Sequence, residues 1–193
     1  MSKGIRFQFC KGEEVRFVSH LDLLRTMERA LRRARLPIAF SKGFSPKPKM
    51  SFAPALPLGI LSKAEYADFI FREEIDPLAF MARYNRHLPR GLAVIQAVSR
   101  KENTPALMQV INVAEYELFL RDKKFGELKE RVEWLLAKKT FIVKRQTKRR
   151  SQEVNVRSLL LEILELNATP QGSRVLCRCA VGQAGNLRMA ELG

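Results

Sequence analysis

Clusters of cationic side chains are the clearest chemical signal in this sequence. Between positions 20 and 50, arginines and then lysines recur at short intervals, and a phenylalanine stands among the lysines. Ammonium and guanidinium groups neutralise phosphates, and an aromatic ring between them can stack on an unpaired base. The pattern predicts a nucleic-acid-binding surface made by Arg25, Arg29, Arg32, Arg33, Lys42, Phe44, Lys47 and Lys49.

Two other interpretations of these residues stay open. Glu28 is the only acidic residue among the arginines, so we expect a helix face that gains few salt bridges, but distant carboxylates could still neutralise it. Phe44 could equally pack into the core and anchor its loop.

A second basic group lies in the other half of the chain, on what we expect to be a hairpin loop. No acidic residue interrupts it. Together the two groups could line one groove along a phosphate backbone. Its predicted nucleic-acid-binding members are Lys144, Arg145, Lys148, Arg149 and Arg150.

His20 and Asp22 form a possible polar site near a helix start, where acid–base chemistry is conceivable. Residues two apart on a helix diverge, so a hydrogen-bonding role for His20 is the simpler interpretation. The sequence has no HExxH, CxxC, GxSxG or Walker motif. We therefore predict no catalytic residues, no metal and no cofactor.

Charge and composition narrow the class of partner. The chain has 193 residues and a net charge of +15, from 35 lysines and arginines against 20 carboxylates. This excess points to nucleic acid or an anionic membrane, and neither basic group has a large apolar face to insert into lipid. The three cysteines fit a reducing compartment, and no secretory signal or membrane-length apolar run is visible. We expect a cytoplasmic protein with no membrane partner.

The order of predicted elements defines the fold class. The first half reads strand, helix, strand, strand, helix, strand; its first helix runs from about His20 to Ala34 after an N-cap at Ser19. The predicted buried stripe of this helix is Leu21, Leu24, Met27, Leu31 and Ala34. This order predicts an α+β, ferredoxin-like (split βαβ) unit with an antiparallel sheet and helices on one face.

A similar order begins again after a polar connection at 99–107. Residues 154–166 are ambiguous between helix and strand, and 187–192 reads as the opening of a helix. We therefore predict two ferredoxin-like domains, 1–100 with the basic helix and loop, and 108–193, the second incomplete and truncated.

Several segments resemble a bacterial family of radical-SAM-linked (radical-SAM-associated) proteins of unknown function. The matching pieces are Arg16-Phe17-Val18-Ser19-His20-Leu21-Asp22-Leu23, Glu28-Arg29-Ala30-Leu31-Arg32-Arg33-Ala34, Leu36 to Lys49, Leu56-Pro57-Leu58-Gly59 and Glu153-Val154-Asn155-Val156-Arg157. Members are fused to, or encoded beside, a radical SAM protein, which implies a shared pathway. The chain lacks the CxxxCxxC motif, so the resemblance implies a partner of that enzyme.

The leading hypothesis is a non-catalytic RNA-binding accessory protein that presents tRNA or rRNA to a radical SAM enzyme for modification. One alternative is an RNA-processing or RNA-modifying enzyme with a site near His20, Asp22 and Lys42. Another is a protein-docking domain that binds the radical SAM partner through its sheet.

Overall fold

Residues 3–121, 123–146 and 151–191 are described by the computed structural model. The chain divides into two units, Met1–Val110 and Ile111–Gly193. The polar segment that follows position 100 therefore belongs to the first unit.

The first unit builds one four-stranded sheet. Its elements are β1 (Gly4–Lys11), α1 (His20–Arg33), β2 (Met50–Phe52), β3 (Ser62–Ile70), α2 (Pro77–Asn85), β4 (Leu92–Arg100) and the short α3 (Leu107–Val110). The strand order is β2-β3-β1-β4, and every pair is antiparallel. The predicted α+β class with antiparallel sheets is confirmed, and the strand order is the one expected of a split βαβ unit.

One face of this sheet carries the core and both long helices. Alternation along β1 buries Ile5, Phe7 and Phe9. The Phe7 ring lies 5.3 Å from that of Phe80 on α2. Tyr84, also on α2, donates its hydroxyl to the carbonyl of Met27 on α1 at 2.9 Å, so the two helices pack side by side over the strands.

The N-cap of α1 is as predicted, and the predicted buried stripe is confirmed at Met27, Leu31 and Ala34 but not at Leu21 and Leu24. Ser19 Oγ accepts a hydrogen bond from the Asp22 backbone N–H. Leu21 is 56% exposed, and the buried residues of the helix and its end are Leu23, Met27, Ala30, Leu31 and Ala34. Leucines at 21, 23 and 24 allow two stripes of similar spacing, and packing against the sheet selects the one that begins at Leu23.

The opposite face of the sheet holds a nearly buried carboxylate between two arginines. Asp68 is 3% exposed; Arg6 donates to it at 2.7 and 2.8 Å and Arg100 at 2.9 Å. The same guanidinium groups donate to the carbonyls of Pro105 and Thr104. This cluster fixes the segment that leads into α3 across the sheet.

The second unit departs from the predicted second ferredoxin-like half. Its elements are β5 (Val113–Arg121), α4 (Phe125–Ala137), β6 (Ile142–Gln146), β7 (Ser151–Asn155), β8 (Leu160–Thr169) and β9 (Gly172–Ala180). They form a three-stranded sheet, β5-β9-β8, and a separate hairpin, β6-β7. Between β7 and β8 stands only a short 3₁₀ helix, Arg157–Leu159, where a split βαβ unit would place its second long helix.

Two ambiguous segments of this unit are resolved. The stretch 154–166 is the end of β7, the 3₁₀ helix and the start of β8. The predicted opening helix at 187–192 is a 3₁₀ helix, Met189–Glu191, as far as the chain is described. Cys177 and Cys179 share the buried face of β9, with their sulfurs 3.7 Å apart. No helix among the described residues combines the length and apolarity needed to span a bilayer.

Candidate nucleic-acid interface

The lysine-rich segment 41–49, here called the 41–49 loop, is closed at its base by backbone hydrogen bonds. Ser41 N–H donates to the Lys47 carbonyl and Lys49 N–H donates to the Ala39 carbonyl, each at 2.8 Å. The Ser41 hydroxyl oxygen accepts from Lys47 N–H at 3.0 Å. The loop is therefore a short projection with two paired legs and a tip at residues 42–46.

Phe44 stands at that tip with its ring in solvent. Its relative exposure is 111%, so it does not anchor the loop in the core. Gly43 beside it has φ +120°, a conformation that favours glycine. Lys42, Lys47 and Lys49 are exposed, and within the described parts of the chain none of them makes an ion pair. The tip presents an aromatic ring among uncompensated cations.

The arginines of α1 are more strongly compensated than the sequence predicts. Arg25 pairs with Asp22 at 3.1 Å and Arg32 with Glu28 at 2.5 Å, one helical turn apart in each case. Arg33 donates to the His87 carbonyl. These contacts are exposed, so each contributes little to stability, and the guanidinium groups stay accessible to a competing phosphate. Arg29 is exposed and has no ion-pair partner among the described residues.

The 41–49 loop rises from the sheet end where α1 finishes. Ala39 N–H, at the base of the loop, donates to the Ile70 carbonyl, and Ile70 pairs with Gly4 at the start of β1. The start of α1 lies at the other end of β1, where the Lys11 ammonium donates to the Val18 carbonyl at 3.3 Å. A helix of 14 residues spans about 21 Å between these ends.

The second basic group is only partly available for phosphates. Arg145 makes a bidentate pair with Glu191, each hydrogen bond 2.7 Å long, and its side chain is only 16% exposed, so the prediction that it binds nucleic acid is replaced by a structural role. Lys144 is exposed on β6, 4.0 Å from Glu153. Lys148, Arg149 and Arg150 lie outside the described residues.

The exposed face of the β5-β9-β8 sheet carries a network of ion pairs that the sequence does not reveal. Arg178 pairs with Glu115 and Glu162, and Arg174 pairs with Glu117 and Glu165. Two arginines among four glutamates leave this face acidic. We therefore do not expect it to bind a phosphate backbone.

The predicted polar trio of His20, Asp22 and Lys42 does not converge. The Asp22 carboxylate accepts hydrogen bonds from Ser19 Oγ and Arg25 at the surface. The hydrogen bond from Ser19, and to a smaller extent that from Arg25, holds the pKa of Asp22 below its usual value. Lys42 is on the exposed tip, and only His20 lines a cleft.

That cleft contains two charged residues that sequence reasoning missed. It lies between the start of α1, β1, β2 and β3, and its polar lining is Lys11, His20, Glu65 and Tyr66. Lys11 is 3% exposed and donates to the carbonyls of Arg16 and Val18. Burial lowers the pKa of Lys11 and raises that of Glu65, although their mutual attraction opposes both shifts. In the sequence, the one signal of this site is that Lys11 takes the next buried position of β1 after Ile5, Phe7 and Phe9.

Comparison with known proteins places the chain in a family. Residues 4–189 match the profile of the family described as "Uncharacterized protein conserved in bacteria (DUF2344)". The chain belongs to this family. A comparison with curated proteins gives no match.

In this DUF2344 protein the half-buried carboxyl of Glu65 in the cleft predicts a specific pH dependence of stability. Because burial raises the Glu65 pKa, the folded state holds this proton more tightly than the unfolded state, and stability falls as pH rises above about 4.3, the usual glutamate pKa. We expect Glu65→Gln to raise the melting temperature at neutral pH and to change it little at pH values below that window. Thermal melts of both proteins across the acidic range would measure this, and a variant less stable than the wild type at neutral pH would contradict it.

Proposed function

We propose that this protein is a non-catalytic RNA-binding accessory protein that presents tRNA or rRNA to a radical SAM enzyme. The observation that carries the RNA-binding part is the 41–49 loop, which has a fully exposed ring at its tip and bears three exposed lysines without ion-pair partners in the described residues. A base among phosphates is a ligand that fits both parts of this loop, because the ring can stack on the base and the lysines can neutralise the phosphates.

The positions of the charges support single-stranded or unpaired RNA over duplex. The ring and lysines lie on a narrow projection, and unpaired nucleotides offer both a base face and a flexible backbone to such a tip. The arginines of α1 supply further cations, which can leave their weak surface contacts with carboxylates and bind phosphates instead.

The radical SAM partner is proposed on the sequence resemblance alone. If the partner is correct, tagged protein purified from cells retains a radical SAM enzyme. Treatment with ribonuclease then separates two forms of the proposal: a complex bridged by RNA is lost, and a direct protein complex persists. Recovery of no radical SAM enzyme in either condition would contradict this part of the proposal.

Phe44 offers a sharp test of RNA binding. Stacking of one base on an aromatic ring contributes about 1–3 kcal/mol, so Phe44→Ala should weaken binding of unstructured RNA by about fivefold to a hundredfold. The salt dependence should stay unchanged because no cation is removed. Filter binding over a series of salt concentrations would measure both the affinity and its salt dependence.

Phe119→Ala is the matched control. Phe119 is also an exposed phenylalanine, at 65%, but its strand β5 carries Glu115 and Glu117 on the acidic face. We expect this variant to bind RNA as the wild type does. Equal losses in the two variants, or no loss in Phe44→Ala, would contradict the proposed role of the tip.

A further inference from the structure

A second exposed aromatic ring, Phe17, lies just before α1 on a rigid support. The ring is 75% exposed. The backbone of its neighbour Arg16 accepts a hydrogen bond from Gly59 N–H at 3.0 Å, and the Arg16 guanidinium donates to the Gly59 carbonyl at 3.1 Å. Glu13 accepts two further hydrogen bonds from that guanidinium. These hydrogen bonds fix the segment that carries the exposed Phe17 ring to the loop that contains Gly59.

The support touches the Phe17 ring at its edge and over one of its faces. Gly59 has φ +82°, and a side chain built there would meet the edge of the Phe17 ring at 3.5 Å. The Arg16 guanidinium carbon lies 5.0 Å from the centre of the Phe17 ring, in cation–π contact. Such contact places the guanidinium over one face of the ring.

Phe17 is a sequence neighbour of residues that line the cleft described above. Val18, the next residue, and His20, three residues on, both line it. Leu56, another lining residue, is on the loop that continues to Gly59 under the ring. The cleft has a volume of about 10 Å³, room for about one water molecule, so it admits the edge of a ligand and not a whole ring.

We propose that Phe17 and this cleft together bind one unstacked nucleobase, which lies on the Phe17 ring and turns its polar edge toward His20 and Glu65. The inference rests on the proposed RNA-binding function and names a second base site within it. A base has flat faces that stack and an edge that forms hydrogen bonds. The site offers the Phe17 ring for a face and the side chains of His20 and Glu65 as hydrogen-bond donors and acceptors for the edge.

The surroundings favour RNA over a protein partner. In segments 16–25 and 56–59 the exposed large apolar side chains are Phe17, Leu21 and Leu58, a small set compared with the extended apolar patches that mark protein interfaces. Arg25 lies one helical turn beyond Leu21 on α1, so cations continue from the ring toward the helix end that carries the 41–49 loop. The two exposed rings thus lie toward opposite ends of one arginine-bearing helix.

The test uses an RNA hairpin with a single-base bulge and the same hairpin with an abasic bulge, bound by the full chain. We expect removal of the base to weaken wild-type binding about tenfold. In Phe17→Leu, intact RNA should bind as weakly as abasic RNA binds to the wild type, and the base should no longer matter. Phe17→Trp should keep the dependence on the base, and Phe119→Leu is the control that should behave as the wild type does.

The outcomes separate the two proposals. Salt-dependent RNA binding that ignores both the bulged base and Phe17→Leu would overturn the base site and leave the RNA-binding function standing. No binding of either hairpin at low salt would overturn the function itself. Hairpins that carry each of the four bases in the bulge can be ranked by their affinity for the protein. Glu65→Gln should alter this ranking, and an unchanged ranking would show that the cleft does not contact the base edge.

Discussion

Asp68→Asn is expected to lower the free energy of unfolding of the first unit by about 3–5 kcal/mol, the range for removal of one partner of a buried ion pair. Asp68 is 3% exposed, and its carboxylate is the acceptor for two guanidinium groups whose side chains are only 20% and 18% exposed. The asparagine keeps the shape but leaves two poorly hydrated cations beside each other. Because the same arginines hold the Pro105 and Thr104 carbonyls, the segment before α3 should loosen as well.

Urea unfolding monitored by far-ultraviolet circular dichroism would measure this loss. The only tryptophan, Trp134, lies in the second unit, so its fluorescence would not follow the first. Glu28→Gln is the matched control, because it removes a carboxylate from a single exposed helix pair and should cost less than about 1 kcal/mol. Similar losses in the two variants would contradict the account of the Asp68 cluster.

Simultaneous replacement of Lys42, Lys47 and Lys49 by glutamine is expected to have the largest effect on RNA binding. Each phosphate contact contributes about 0.7 to the slope of log affinity against log salt for a single strand, so loss of three contacts should flatten that slope by about 2. The three lysines are exposed on a loop, and the paired base does not depend on their side chains, so the fold should persist.

The control for that variant removes equal charge from elsewhere. Lys63, Lys101 and Lys123 are exposed lysines outside the 41–49 loop, and their replacement by glutamine lowers the net charge by the same amount. We expect this control to retain nearly the full salt slope. Equal flattening by both triple variants would mean that overall charge attracts the RNA without a localised site.

Local chemistry made the start of α1 predictable, and packing made its buried face unpredictable. Ser19 caps the helix by accepting a hydrogen bond from the backbone N–H of Asp22, three residues on. Because this contact is local, the sequence was sufficient to predict where the helix begins. The choice between stripes that begin at Leu21 or at Leu23 depends on contacts with the sheet, which lie far away in sequence. Burial of Leu23 and Ala30 in place of Leu21 and Leu24 leaves Leu21 exposed and alters the expected surface of the helix.

Long-range ion pairs limited the prediction of the interface. Arg145 and Glu191 are 46 residues apart, and no local pattern signals that one will neutralise the other. Lys11 was missed because its partners are backbone carbonyls, which every residue has. The 41–49 loop was predictable from Gly43, Pro46 and Pro48, since those residues disfavour helix and sheet, but exposure of the Phe44 ring depends on what surrounds the tip.

The most direct test of the central claim is the salt dependence of RNA binding by the wild-type protein. The account predicts a linear decrease of log affinity with log salt, with a slope of about −2 to −3 from the three loop lysines and Arg29. An affinity that stays constant from low to high salt, or no measurable binding of RNA at low salt, would contradict it.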